Sequence, residues 1–387
     1  MLMKQKLFNR GIGLGLLYIL LASCQGKKSI QVVPHSGHNY KWALMPFVKS
    51  DPSNPVLGPG PGTFWDPVSG KIIRWESKDV FNPAAVVMHD SIYLVYRAQD
   101  SLGKPAGTSR LGLAISGDGL HFVRRARPVL YPERDSMLTY EWEGGVEDPR
   151  IVESPDSSYI LTYTAYDGKT ARLCEAISHD LVHWKKLGLV FGSAGGGKFR
   201  NLWSKSGAIV AQLEKGHVIA KKIRGKYWMY WGDSRIFMAT SADLVHWEPL
   251  ENGGHLQSLF GPRKGYFDSR LVESGPFALW TGSGIVLIYN GMNDSRSGDS
   301  TLASGTYSGG QVLIDSQDPT RVLARLPYNF IRPDKPYELK GQVNRVCFLE
   351  GLAWFKGKWF LYYGTADSKI AVAVFSPGRR ISPSPVP

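Results

Sequence analysis

The sequence predicts an all-β protein folded as a five-bladed β-propeller, and three observations carry that expectation. The first is an echo: "GLAISGDGLHF" ends at Phe122, "CEAISHDLVHW" at Trp184 and "FMATSADLVHW" at Trp247, a spacing of 62 and then 63 residues. The second is a series of five strands with aromatic centres: "SIYLVYRAQD", "SYILTYTAYD", "KYWMYWGDSR", "GIVLIYNGMND" and "KWFLYYGTADS". The third is composition, since 43 Gly, 12 Trp and 18 Tyr among 387 residues suit a turn-rich β protein with aromatic surfaces. Radial repetition accounts for such a period, because a four-stranded blade cannot cover both its faces alone and must pack against neighbours around an axis. A β-sandwich gives no reason for the echo.

Taken in order, residues 1–23 read as an export leader. "MLMKQKLFNR" is basic, and "GIGLGLLYILL" is apolar but shorter than a comfortable bilayer span. Leu21-Ala22-Ser23-Cys24 resembles a bacterial lipoprotein cleavage box, which makes Cys24 the lipidated first residue of the mature chain. An ordinary signal peptide is the alternative. Residues 24–62 follow as a tether and a Pro/Gly-rich lead-in, 63–377 as the propeller without an internal boundary, and 378–387 as a tail. The expected location is the bacterial cell envelope, periplasmic or at the cell surface, with the membrane as a partner through Cys24.

Loss of Lys4, Lys6 and Arg10 with the leader takes the formal charge from +13 to +10. The basic residues are scattered, without a stripe interleaved with aromatics, which argues against a nucleic-acid partner. Cys174 and Cys347 read as buried small apolar residues and make one bridge at most.

Each unit begins with an opening strand: "FNPAAVVMHD", "EDPRIVESPD", "SGAIVAQLEK", "FDSRLVESGP" and "EGLAWFKGKW". Opening strands line the axis of a propeller, so Asn82, Asp148, Ser206, Asp268 and Glu350 are expected at one centre. Arg97, Asp233, Asn290 and Asp367 join them from the ends of the second strands. Desolvating several like charges together is costly, so such a centre reads as a functional site. With Trp and Tyr faces beside it, it suits a sugar. His121, His183 and His246 recur in the blade turn and read as structural residues, and no metal or cofactor is expected.

The stretch "EWEGGVEDPRIV" places Glu141, Glu143, Glu147 and Asp148 within eight positions, either as a solvated loop or as a proton-holding site. Together with "LVYRA", the two "S-x-D-L-V-H-W" copies, "FDSRLVESGP" and "YYGTADSKIAVA", its "GGVEDPRI" resembles glycoside hydrolase family 130 over residues 75–375. That resemblance implies β-mannoside chemistry with inversion, either hydrolysis or phosphorolysis. The family's catalytic acid falls on Asp148, whose chemistry asks for a protonated carboxyl, with Glu147 raising its pKa and Arg150 opposing.

An inverting hydrolase also needs a second carboxylate roughly 6.5–9.5 Å away to activate water. Glu273 and Asp233 are the candidates, Glu273 the stronger because the resemblance places the longer Glu at position 233. Phosphate as nucleophile would need two or three cations. "MYWGDSR" and "IYNGMN" stand where the phosphorylases carry cationic segments. The expected binders of an oligosaccharide or glycan substrate are Asn82, Arg97, Asp100, Glu147, Arg150, Asp268, Asn290 and Asp367, with Trp142 as a stacking face.

The reading is therefore an inverting, exo-acting β-mannoside hydrolase, with β-1,2-linked mannose first by resemblance. The alternatives are a phosphorylase releasing mannose 1-phosphate and a lipid-anchored sugar-binding protein with decayed catalysis.

Overall fold

The computed structural model describes residues 40–102 and 106–378. The leader, Cys24 and the tail beyond 378 lie outside the described residues. The fold is a five-bladed β-propeller. Blade 1 comprises Asp79–Met88, Ser91–Gln99, Ser109–Ser116 and Val123–Arg124. Blade 2 comprises Gly145–Glu153, Tyr159–Tyr166, Ala171–Ser178 and Lys185–Leu189. Blade 3 is built on Ala208–Glu214, Lys226–Trp231, Ile236–Ser241 and Trp247–Pro249. Blade 4 uses a split inner strand, Leu271–Ser274 and Ala278–Thr281, then Gly284–Met292, Tyr307–Ile314 and Val322–Arg325.

Blade 5 contains Cys347–Phe355, Lys358–Thr365 and Lys369–Phe375, and its outer strand is Val48–Lys49 from the other end of the described chain. The ring is thus closed by residues that precede the position 63 at which the sequence reading begins it. Asn54 fastens this closure by acting as a peptide group, donating to Val372 O and accepting from Val372 N–H, both at 2.9 Å. Lys49 adds a clasp, with Nζ 2.7 Å from both Asp334 and the buried Glu338.

Within blades the strands are antiparallel, and across blade boundaries they meet in parallel, as in Val210↔Ala278 and Ser109↔Gly145. Both faces of each blade pack on neighbours. Gly145–Glu153 is therefore buried along its whole length, without the alternation of a one-sided sheet. Tyr163, Tyr230, Tyr289 and Tyr362, the aromatic centres of the second strands, are fully buried. Cys174 and Cys347 sit buried and unbonded in different blades.

The echo itself is a turn. Ser116, Ser178 and Ser241 each donate a hydroxyl to the Asp two residues on, at 2.9–3.1 Å. That Asp then holds the ring of His121, His183 or His246 at 2.7 Å. The three histidines are exposed turn residues.

The inner strands are interrupted at one level. Register slips fall at Phe81/Pro83, Glu147/Arg150 and Leu349/Gly351 in blades 1, 2 and 5, and blade 4 breaks outright between Ser274 and Ala278. The bulged residues Asn82 and Asp148 have φ of 45° and 48°, a left-handed conformation that Asn and Asp tolerate better than other side-chain-bearing residues. A proline follows each of them, where no backbone donor is lost to the ladder. A bulge re-aims the side chain of its extra residue, here toward the axis. On the far side of this level Val86, Val87, Val152, Leu352 and Ala353, together with His217, line a void of only about 10 Å³. One end is polar, and the other is mainly aliphatic, with His217, paired to Glu153 at 2.8 Å, among its lining residues.

Candidate active site

Asp148 lies at the centre of the polar end, 3 % exposed. Its Oδ1 accepts from Asn82 Nδ2 at 3.0 Å and Arg97 Nη1 at 2.9 Å, and Lys205 Nζ stands 3.3 Å from Oδ2. Arg97 spans both acids of the E-D-P-R stretch, its Nη2 reaching Glu147 Oε1 at 2.7 Å. Two glycines allow this packing. A Cβ on Gly145 would stand 2.1 Å from the Ser109 carbonyl, and one on Gly364 would stand 2.1 Å from the Asn82 amide oxygen.

Glu273 faces Asp148 across Lys205, whose Nζ is 4.0 Å from Glu273 Oε1. The contacted oxygens of Asp148 and Glu273 are therefore at most 7.3 Å apart, the sum of the two distances. This overlaps the short end of the roughly 6.5–9.5 Å spacing used by inverting hydrolases. Ser206, left-handed with φ 59°, donates to Glu273 at 2.5 Å.

Burial pushes the Glu273 carboxyl up, Lys205 opposing and Asp233 adding. Burial also pushes Glu147 up against Arg97, and lifts Asp367 to about 7 against Arg97. Asp148 behaves in the opposite way. Its burial is outweighed by Arg97, Lys205 and Arg150, which hold the carboxyl well below the usual range. The expected protonated Asp148 is thus not the resting state, because two cations lie within 3.3 Å of it. Lys205 is in turn held above its ordinary range, since Asp148, Glu273 and Glu147 outweigh its burial.

Several predicted binders do other work. Arg150 is buried beneath Asp148, and its guanidinium donates to the main-chain oxygens of Asp148, Ser274 and Gly275 while lying 3.2 Å from Glu350. It ties blades 2, 4 and 5 together. Glu350 shares that burial, and its carboxyl is pushed well up despite Arg150. Asn290 bridges blades 4 and 5 by bonding the N–H and C=O of Leu349 at 2.7 and 3.0 Å. Asp100 folds its own loop, accepting from Arg110 at 2.6 Å and from Thr108 N–H at 3.0 Å.

Asp268 is not at the axis centre. It precedes the first stretch of the blade 4 inner strand and is gripped by Arg263, Arg325 and Tyr289. The break of that strand comes instead at 275–277, just after Glu273, which lies at the axis beside Lys205. Asp233 sits on the rim, where Trp203 Nε1 donates to its Oδ2 at 2.8 Å; Arg235 turns away to Ser258. Trp142 is half-buried after the short helix Leu138–Glu141 and is not among the cleft-lining residues. Of the other acids in the opening stretch, Glu141 is buried against Lys186 at 2.6 Å and Tyr163 at 3.0 Å, and burial pushes it up to about 7.

The cleft above these groups has a volume of about 210 Å³, lined by Arg97, Gln99, Gly107, Gly144, Glu147, Tyr166, Trp203, Lys205 and Gln342. Sequence reasoning missed Lys205, Trp203 and Gln342. Lys205 immediately precedes the left-handed Ser206, a polar pair before an apolar strand, and that was its only local signal.

A cleft lined by Glu147, Arg97, Lys205, Tyr166 and Trp203, with Lys205 linking it to the buried Asp148 and Glu273 of a five-bladed propeller, is the arrangement of a carbohydrate-active enzyme. The chain belongs to glycoside hydrolase family 130, a family of mannoside-processing enzymes: the family model, described as β-1,4-mannooligosaccharide phosphorylase, matches residues 48–378. The chain is 30 % identical to a 1,2-β-oligomannan phosphorylase of Thermoanaerobacter sp. (strain X514), over 78 % of this chain and 91 % of the relative.

Among solved structures, a glycosyl hydrolase from Bacteroides ovatus is 46 % identical with a TM-score of 0.87, covering 89 % of this chain and 97 % of that one. Another, described as "The GH130 family of mannoside phosphorylases contains glycoside hydrolases that target beta-1,2 mannosidic linkages in Candida mannan", is 44 % identical with a TM-score of 0.86 and the same coverage.

Proposed function

We propose that this chain is an inverting, exo-acting hydrolase of β-mannosides, with β-1,2-linked mannose as its first substrate. The observation that carries hydrolysis is the occupation of the cations. Among the described residues at the axis, Arg97 is bound to Glu147 and Asp148, Lys205 lies between Asp148 and Glu273, and Arg150 is consumed by main-chain carbonyls and Glu350. A phosphate dianion entering here would displace a carboxylate from a cation and meet the remaining acids. The likeness at 44 % identity to a structure described with β-1,2-mannosidic hydrolases supports the same choice.

In this reading Asp148 is the acid and Glu273 the base. A sugar seated in the cleft excludes water and inserts hydroxyls beside Lys205, which raises Asp148 toward its protonated form. Its proton goes to the leaving oxygen, directly or through a substrate hydroxyl. Glu273 takes a proton from the water that attacks the anomeric carbon from the opposite face. Arg97, Asn82 and Asp367 orient the ring. The closed axis supports exo action, since only a chain end fits a dead-end cleft.

Phosphorolysis is the second reading, favoured by the phosphorylase descriptions of the family model and of the Thermoanaerobacter relative. One experiment separates the two: mature protein with β-1,2-mannobiose, with and without phosphate. Free mannose without phosphate, lost in Asp148→Asn, is expected; mannose 1-phosphate formed only with phosphate would reverse the assignment. The proposal extends to the envelope location, with Cys24 lipidated; Cys24→Ser should move the protein out of the membrane fraction.

A further inference from the structure

Trp203 stands outside every motif that pointed to the site. It is 48 % exposed and lines the cleft together with Lys205. Its backbone is fixed on both sides. Leu202 N–H donates to Phe199 O at 3.0 Å, Ser204 N–H to Ala171 O at 3.1 Å, and Gly232 N–H to Lys205 O at 2.9 Å. The indole N–H is already satisfied by Asp233, which aims the ring, and about half of the residue's surface remains open to solvent. A rigid aromatic face whose polar atom is satisfied suits the C–H face of a sugar.

The placement says which sugar. Lys205, two residues on, reaches Asp148 at 3.3 Å and is far less exposed than Trp203. The indole therefore lies outward of the reacting centre, the side that a leaving group takes in the exo-acting reading proposed above. Asp233, whose Oδ2 is committed to the indole, is a positioning residue in this arrangement and leaves the base role to Glu273.

We propose that Trp203, aimed by Asp233, is the stacking platform for the leaving-group sugar and makes the enzyme selective for aglycones that are themselves sugars. This rests on the mannoside chemistry proposed above.

The test compares β-1,2-mannobiose with β-mannosyl fluoride, whose leaving group offers no ring to stack. Trp203→Ala and Asp233→Leu should each lower kcat/KM for mannobiose about 30-fold and change the fluoride by less than about twofold. Trp203→Phe should keep most of the activity, and Asp233→Asn, which retains an acceptor for the indole, should lose less of the mannobiose activity than Asp233→Leu. Equal losses on both substrates in Trp203→Ala, or an Asp233→Asn enzyme as inactive as Glu273→Gln, would overturn the inference.

If wild type turns over neither substrate, the hydrolase reading fails on its own. The platform is then read by calorimetric binding of mannobiose to the Asp148→Asn protein. Weaker binding after Trp203→Ala supports it, whereas an unchanged Kd or no binding in either protein overturns it.

Discussion

Lys205 decides the resting electrostatics of the site, and its removal has a computable direction. It depresses both Asp148 and Glu273, so Lys205→Gln should let the Glu273 carboxyl rise further above its ordinary value. A base must be ionised to work, so the acidic limb of the kcat/KM profile should move to higher pH; a limb that stays put would remove Glu273 from that role. Asp367 makes a second case. Its folded pKa of about 7 lies above the unfolded value, so it contributes stability below roughly pH 4 that is lost as pH rises through 7. Asp367→Asn should therefore raise Tm more at pH 8 than at pH 5 while reducing activity, and thermal scans at the two pH values read this directly.

The residues legible in the sequence were those whose identity is tied to a local pattern. Asp148 could be found because its bulge leaves the signature Asp-Pro, as Asn82 leaves Asn-Pro. Asp268 misled because it stands at the start of "FDSRLVESGP", while the inner strand of blade 4 breaks only after Ser274, six residues later. Arg150 and Asn290 were read as binders although blade packing claims them, and nothing short-range separates a guanidinium that meets sugar from one that meets carbonyls.

At the scale of elements, the Ser-x-Asp-x-x-His turn was legible as an echo because it is a closed local hydrogen-bond set, repeated where each third strand ends. Asp180 Oδ1 accepts from the N–H groups of Val182 and His183 at 2.9 and 2.8 Å. Asp180→Ala should cost about 1–2 kcal/mol, as loss of a helix cap does, and leave kcat/KM unchanged. Chemical denaturation would measure this, and an activity loss would show that the turn communicates with the axis. The level at which inner strands bulge was not legible as a rule. It joins Asn82, Asp148 and Glu350 at one height with the break at 275–277 in blade 4, positions that share no common residue pattern.

Across the whole molecule, the aromatic strands and the period announced five blades, but the closure did not show in the sequence. Val48–Lys49 is too short to read as a strand, and its partner lies at the other end of the chain. Its weight comes from the clasp of Lys49 on buried Glu338. Lys49→Ala leaves that carboxylate without its cation, and breaking a buried pair this way costs about 3–5 kcal/mol. A large fall in Tm is expected, together with proteolysis beginning in blade 5; a Tm within a degree of wild type would show that the closure does not limit stability.

The aliphatic plug formed by Val86, Val87, Val152, Leu352 and Ala353 has a consequence for how the enzyme meets a long chain. A through-channel lets a released monosaccharide leave ahead of an advancing polymer, so that one encounter yields many cuts. In the exo-acting reading proposed above, the freed sugar would lie at the bottom, and the shortened chain would have to withdraw completely before it could escape. Turnover is then distributive: every cut needs a fresh encounter. Early in a reaction with a defined oligomannoside, the products should be a ladder descending one sugar at a time across the whole population, not a few chains degraded to the end.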